Sequence, residues 1–320
     1  MNIPFINTIR NIREKLWHTK DIQAQLENLK FEIARSGLQE KIMHSTRSGI
    51  SSTRYCGHDI VVSLTTHGKR IYDVAITIES IMQQTMLPNR IILNIDRSFE
   101  NIPLPLSLQR QTTRGLEIRT VDDIKSYKKL IPTLQACPDD IIITIDDDLV
   151  YDYDIIERLY RSYLQHPDSI NALRTHTIRF GSDEKPMKYN DWYLEKAISP
   201  NPFHLFPTTG GGTLFPSGCF NNEIFNRDVF TRICPTADDV WVHAMAVLNG
   251  TKIVKALSRS DTGCDYLVNH RVQDIGLHLI NTGTMRNNDR QIEAVYSRYG
   301  IYDLLNHSCG TASSRMSRGT

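Results

Sequence analysis

Ile141-Ile142-Ile143-Thr144-Ile145 runs without interruption into Asp146-Asp147-Asp148. A run this apolar and β-branched reads as a buried strand, and a buried strand seldom ends in three like charges without a use for them. In extended geometry Asp146 and Asp148 point to one face, where two carboxylates side by side repel each other. An oxygen-preferring divalent cation, Mg²⁺ or Mn²⁺, relieves that repulsion and keeps coordination positions open for substrate phosphates. The competing reading is an acidic loop that caps the following helix, with Asp148 near its N-terminus.

Upstream, residues 60–64 form a β-branched run, 72–82 have helical periodicity ending before Pro88, and 90–95 are a second apolar run followed by Asp96. That is a β-α-β unit. A third apolar stretch over 117–121 leads to a Lys-containing segment over 125–134 and then to the strand over 140–145. Strands alternating with helices imply a mostly parallel sheet, whose ligands gather at the carboxyl ends of the strands. Those ends carry Thr65, Thr66, Asp96, Asp122 and Asp146. Downstream, 151–166 reads as a helix, 186–216 is rich in Pro and aromatics, and 237–248 is a helix closed by Asn249-Gly250.

The chain has 320 residues, 40% apolar and 8% aromatic, with 37 Lys and Arg against 36 Asp and Glu. This composition excludes a disordered or collagen-like chain. A net charge of +1 argues against a nucleic-acid partner, which calls for clustered basic residues that release counterions. The balance is uneven, because residues 1–54 hold nine basic and five acidic residues, a net of +4, and the remainder carries −3. In that segment Ile9, Ile12, Leu16, Leu26, Leu29 and Ile33 fall mostly three and four apart, as in one or two amphipathic helices, while Ser36-Gly37 and 45–53 read as a linker. Contact with an anionic membrane surface and homodimerisation are both open uses for this arm. No run of 18 apolar residues and no signal-type apolar core is present, so a cytoplasmic protein is expected, at most peripheral at the inner face of the cell membrane. The six cysteines lack a C-x-x-C pair and fit free thiols in a reducing compartment.

The order of pieces resembles glycosyltransferases of the GT-A fold, in particular the family-2-like inverting enzymes of bacterial lipopolysaccharide and capsule synthesis. The resemblance rests on Ile60-Val61-Val62-Ser63-Leu64-Thr65-Thr66, on Thr77-Ile78-Glu79-Ser80-Ile81 followed by Gln83-Gln84-Thr85, on Arg90-Ile91-Ile92-Leu93-Asn94-Ile95-Asp96, and on the D-x-D match Asp146-Asp147-Asp148. It covers about residues 59–250. It implies an α/β, GT-A type nucleotide-diphospho-sugar transferase fold, a mostly parallel central sheet flanked by helices with an N-terminal helical extension. The implied organisation is an arm and linker over 1–55, a catalytic domain over 56–305 with a nucleotide-binding half (56–150) and an acceptor-side half (151–305), and a flexible tail over 306–320. The implied partners are a nucleoside-diphosphate-sugar donor and a glycan or lipid-linked acceptor.

Carried over by motif, the resemblance makes Asp148 and Asp146 metal ligands, with Asp146 and Asp147 toward the nucleotide and Thr65, Thr66, Arg70 and Asp96 framing the nucleoside. Asp122 and Lys129 sit where a third-strand loop would reach the diphosphate; a solvated helix face with Lys128 and Lys129 outward explains them as well. Thr236-Ala237-Asp238-Asp239-Val240-Trp241 resembles the paired-acid motif of the same enzymes, in which the second acid is the general base, so Asp239 is the candidate base beside Asp238. A capping role competes, since Thr236 is a good N-cap and Asp239 then falls at the third helical position. Thr208-Thr209-Gly210-Gly211-Gly212-Thr213 offers three glycines for close backbone approach, and Gly210, Gly211 and Gly212 with Trp241 are expected to line the donor-sugar or acceptor pocket. Trp192 and Tyr193 are further stacking candidates. His278 is a candidate further metal ligand.

Two other functions compete. A sugar-phosphate nucleotidyltransferase wants a Gly-rich basic loop directly after the first strand, where Thr65-Thr66-His67-Gly68-Lys69-Arg70 supplies one glycine. A non-catalytic nucleotide- or glycan-binding module would use Asp239 only as a cap.

Overall fold

The computed structural model describes residues 3–182, 185–194, 201–260, 263–275 and 287–307. After a long helix α1 (Ile3–His44), the apolar runs become β1 (Ile60–Thr65), β2 (Arg90–Asp96), β3 (Leu116–Val121) and β4 (Ile141–Thr144), separated by α2 (Val74–Met82), α3 (Leu106–Thr112) and α4 (Ile131–Ala136). The second half adds β5 (Leu149–Tyr151), α5 (Ile155–Gln165), β6 (Ile170–Ala172), β7 (Thr175–Thr177), β8 (Tyr193–Leu194), β9 (Leu205–Pro207) and β10 (Thr213–Phe215). It continues with α6 (Arg227–Ile233), α7 (Asp238–Leu248), β11 (Ile253–Lys255), β12 (Tyr266–Val268) and the helices Asn287–Tyr299 and Ile301–His307.

Seven strands form the central sheet in the order β11-β6-β10-β4-β1-β2-β3. Neighbours are parallel except at β10, which runs against both β4 and β6. The middle strands are covered on both faces, with Val61, Val62, Ile92 and Ile143 fully buried. That double burial is why their sequences are continuous apolar runs instead of alternating ones. A mostly parallel sheet flanked by helices, with an N-terminal helix, is the architecture expected above. Its parallel strands β1, β2, β3 and β4 deliver Thr65, Asp96, Val121 and Asp146 to one edge of the sheet.

Two local expectations change. Residues 149–151 pair with β12 as a small antiparallel ribbon, Tyr151 opposite Tyr266, so the helix that followed the three aspartates in the sequence reading begins only at Ile155. The first helix runs through Ser36-Gly37 to His44, because Leu38 and Ile42 beyond the glycine are buried on the core with Phe31 and outweigh a helix penalty of about 1 kcal/mol for Gly. Its opposite face leaves Ile22, Leu26, Leu29 and Ile33 exposed. The segment after it is strapped to the sheet, with Gly49 N–H donating to Arg114 O (2.9 Å) and Ser51 N–H to Pro88 O (2.8 Å). Among the described residues no helix is long and apolar enough to cross a membrane, and the cysteines are free thiols.

A buried ion pair fixes the helical layer over the sheet. Glu79 on α2 accepts two hydrogen bonds from Arg114 (2.8 and 3.0 Å) and one each from Gln83 (2.7 Å) and Gln111 (3.1 Å), and Arg114 Nε reaches Arg47 O in the strap (2.8 Å). Breaking one side of such a pair strands a buried charge. Arg114→Met is expected to lose about 3–5 kcal/mol in urea unfolding, and the double variant with Glu79→Gln to recover part of it; equal stability of Arg114→Met and the parent would contradict this.

Candidate active site

The sheet edge opens into a cavity of about 690 Å³ that most of the acids singled out in the sequence share. Asp146, Asp147 and Asp148 leave the end of β4; Asp147 and Asp148 share Arg70, while Asp146 meets Lys129. Asp147 is turned inward: Thr66 Oγ1 donates to its Oδ2 (2.6 Å), Arg70 Nη1 to its Oδ1 (2.6 Å), and Thr77 Oγ1 to its carbonyl (3.0 Å). Burial pushes its pKa up, against Arg70 and Thr66, which pull it down. Each oxygen of Asp147 thus already accepts a hydrogen bond within the fold, although the residue lines the cavity. Arg70 also lies 3.1 Å from Asp148 Oδ2 and donates to Val272 O (3.1 Å), so it orients the outer aspartate. Arg70 and Thr66 act here as holders of the aspartates.

Asp146 is the most open of the three, with its side chain 43% exposed. Its Oδ1 meets Lys129 Nζ at 2.8 Å, its backbone N–H donates to Tyr151 Oη (2.9 Å), and Tyr151 in turn donates to Gly210 O (2.5 Å). A Cβ on Gly210 would fall 1.7 Å from Asp146 Oδ2, so any larger residue there would displace that carboxylate. Gly211 lines the cavity too. Gly212 does not; its φ of 91° makes the turn into β10, and its expected place in the pocket is corrected to a conformational one.

The segment after β3 explains the lysines. Lys125 has a left-handed φ of 56°, with its N–H bonded to Asp123 Oδ1 (3.0 Å), and this turn rolls the following single-turn helix so that Lys128 and Lys129 point inward. Both are buried, which removes the solvated-face reading. Lys128 joins Asp96 (2.5 Å) and Asp123 (3.0 Å); Lys128 and Ser98 hold Asp96 below the usual carboxylate range despite its burial. The same turn sends Asp122 outward to Arg227 (2.8 Å) and Arg97 (3.5 Å), so Asp123, not Asp122, lines the cavity.

Across from β4, Asp238 and Asp239 open α7. The helix is capped at Ala237 with no side-chain cap, which places Asp239 at the second helical position and leaves Thr236 outside the capping role. Thr209 binds Asp239 Oδ1 through its N–H (2.9 Å) and its hydroxyl (2.5 Å), while Lys129 Nζ reaches Asp238 Oδ2 at 3.1 Å. Burial and the neighbouring Asp238 raise Asp239 to about 6, with Lys129 and Thr209 restraining the rise. Burial works against the charge on Lys129, but Asp146, Asp238 and Asp239 overcome it and hold the ammonium protonated. Adjacent residues Thr209 and Gly210 therefore touch Asp239 and Asp146, and one lysine joins the two acid groups.

Trp241 is corrected to the core: it is fully buried, donates to Ile224 O (3.1 Å) and packs on Phe230 and Tyr299. The cavity takes its aromatic surface from Tyr189, Trp192, Phe206 and Tyr266, beside Arg174 and His176. Of these the sequence reading had only Trp192; the one signal for the others is Arg174-Thr175-His176, two polar residues on one face of an extended segment. Thr65 lines the cavity, and His278 lies outside the described residues.

Seven lining acids (Asp96, Asp123, Asp146, Asp147, Asp148, Asp238, Asp239) stand against five cations (Arg70, Lys125, Lys128, Lys129, Arg174), a balance of −2. A diphosphate alone would be repelled, whereas a divalent cation restores neutrality. Among the described residues no three His, Cys, Asp or Glu side chains converge on a ready-made metal centre. Asp146 Oδ1 faces Lys129 (2.8 Å) and Asp148 Oδ2 faces Arg70 (3.1 Å), so each of these two carboxylates already has a protein cation beside it.

No family model and no curated protein matches the chain in sequence. Among solved structures, residues 1–349 of S. aureus TarS in complex with UDP align with a TM-score of 0.43 at 10% identity, covering 63% of this chain and 58% of that one. The 4-diphosphocytidyl-2C-methyl-D-erythritol synthase of Anaerococcus prevotii aligns with a TM-score of 0.39 at 13% identity, covering 71% of this chain and 97% of that one. These likenesses are remote, and the chemistry has to be read from the side chains themselves.

Lys129→Met leaves three acids facing one another in a partly dry pocket. It is expected to lower the melting temperature most above pH 7 and progressively less as pH falls through about 6, where Asp239 takes up a proton. A pH-independent loss in a thermal melt series from pH 5 to 8.5 would contradict the bridging role.

Proposed function

We propose that this chain is a metal-dependent glycosyltransferase that transfers a sugar from a nucleoside-diphosphate-sugar donor to a hydroxyl of a glycan or lipid-linked acceptor, by inversion, in bacterial surface polysaccharide synthesis. The observation that carries the reading is the meeting, in one cavity, of the acids at the end of β4 with the acid pair at the start of α7, tied by Lys129. Asp146 and Asp148 hold Mn²⁺ or Mg²⁺, which when bound supplies charge neutralisation to the departing diphosphate. Arg70 keeps Asp148 oriented, and Thr65, Asp96, Asp123 and Lys128 frame the nucleoside end of the cavity.

Asp239 accepts the proton of the attacking hydroxyl. A pKa of about 6 suits that task, being ionised at neutral pH yet basic enough to take a proton. Thr209 fixes the carboxylate through Oδ1, which leaves the other oxygen as the acceptor of that proton. The capping alternative loses support because Asp239 is bonded to Thr209 from another loop.

A donor screen with Mn²⁺, followed by release of the nucleoside diphosphate, tests the reading. Turnover of at least one donor is expected, with Asp148→Ala inactive and Asp239→Asn slowed about 10²–10⁴-fold while still binding nucleotide. The rate should fall on the acid side of about pH 6, since Asp239 serves only when ionised. Absence of a melting shift with every nucleoside diphosphate, with and without Mn²⁺, would sink the proposal.

A further inference from the structure

We propose that Arg174 and His176 form a subsite for an anionic group carried on a sugar, a carboxylate or a phosphate, next to Asp239. This deepens the transferase reading and rests on it. The two side chains are two residues apart at the start of β7, so they share a face, and both line the cavity.

The three buried cations at the nucleotide end are committed: Arg70 to Asp147 and Asp148, Lys128 to Asp96 and Asp123, Lys129 to Asp146 and Asp238. Arg174 differs. Among the described residues its guanidinium, half-buried in the cavity wall, has no ion pair, and its Nε, like that of Arg70, is buried without a hydrogen-bond partner. A cation withdrawn from water without an anion is costly, and such groups persist where a ligand completes them. Among the described residues no acid contacts it directly: beside burial, the groups that act on its charge through space are Tyr266, Cys264, Tyr189 and Asp239.

His176 completes the chemistry. Burial and Arg174 push its pKa down to about 4, so the ring is neutral at working pH, and its Nδ1 is buried and unpartnered. One fixed positive charge and one neutral imidazole thus sit against the aromatic group of Tyr189, Trp192 and Phe206, whose ring centroids are 5.0 to 5.8 Å apart. The partly exposed Tyr189 ring, backed by the buried Trp192 and Phe206, offers a face to a sugar ring, and the guanidinium fork pairs with a carboxylate or phosphate attached to it. The position favours the sugar over the donor diphosphate. The Gly210-Gly211 backbone separates the two ends, since a Cβ on Gly210 would meet Asp146 and one on Gly211 would meet Arg174 Cβ at 2.7 Å.

The charged sugar is brought either by the donor or by the acceptor, and two kinetic arms separate them. One compares a nucleoside-diphospho-uronate with the matching neutral hexose donor; the other compares an oligosaccharide ending in a uronate or phosphate with its neutral counterpart. In one arm the full-length protein with Mn²⁺ is expected to favour the acidic member at least about tenfold in kcat/KM, through KM. Arg174→Gln should bring that ratio to about one, and Arg174→Lys should restore part of it. Independently of turnover, millimolar glucuronate or glycerol phosphate, but not glucose, should raise the melting temperature of the parent and not of Arg174→Gln. That variant should itself melt no lower than the parent, having lost a half-buried charge that has no ion pair among the described residues. Equal ratios in parent and Arg174→Gln in both arms, with nucleotide binding intact, would overturn the subsite alone. A glucuronate shift without any nucleotide shift would keep the subsite and reject the transferase.

Discussion

A single ammonium group holds the pocket together. Lys129 Nζ, buried beneath the cavity, lies 2.8 Å from Asp146 and 3.1 Å from Asp238, so it touches one acid from the end of β4 and one from the start of α7. Without it, three carboxylates would converge with no cation among them, and the loop carrying Thr209 and Gly210 would have to separate them alone. The charge also limits how far burial lifts Asp239, keeping its pKa near 6. Stability and chemistry are therefore coupled through one side chain, and functional sites commonly retain such arrangements at some cost in stability.

Around that link the cavity divides by charge. At the nucleotide end every buried cation is matched to acids and a net negative balance remains, which a divalent cation would offset and a diphosphate without one would worsen. At the other end a guanidinium has no ion pair among the described residues and stands beside neutral aromatic rings and a neutral imidazole. The two ends ask for different ligand groups, and the Gly210-Gly211 backbone is the boundary, narrow enough that neither position tolerates a side chain without displacement.

Much of this was legible in the chain itself. The runs at 60–65, 90–96 and 141–144 are apolar on both faces because the strands are covered on both faces, so their places in the sheet follow from composition alone. The acids at the ends of such strands were equally plain. The orientation of individual side chains was less accessible. Asp122 and Asp123 are exchanged by a left-handed turn at Lys125, a conformation that no residue type there announces. Trp241 lies on a helix buried almost all round, in which periodicity gives no preferred face. The pocket's far wall comes from strands of two and three residues, too short for alternation to register, and from an antiparallel β10 inserted between otherwise parallel neighbours. Gly37 broke the apparent helix in composition but not in structure, since burial beyond it decides.

The central claim is that the acids at the end of β4 receive a cation bridged to a nucleoside diphosphate. Anomalous scattering from crystals of the full chain grown with Mn²⁺ and a nucleoside diphosphate tests it directly. The expected result is a manganese peak within coordination distance of both Asp146 and Asp148, with the diphosphate on its other side and Lys129 still bridging to Asp238. A nucleotide bound in the cavity with no manganese at those two carboxylates, or manganese bound elsewhere, would contradict it.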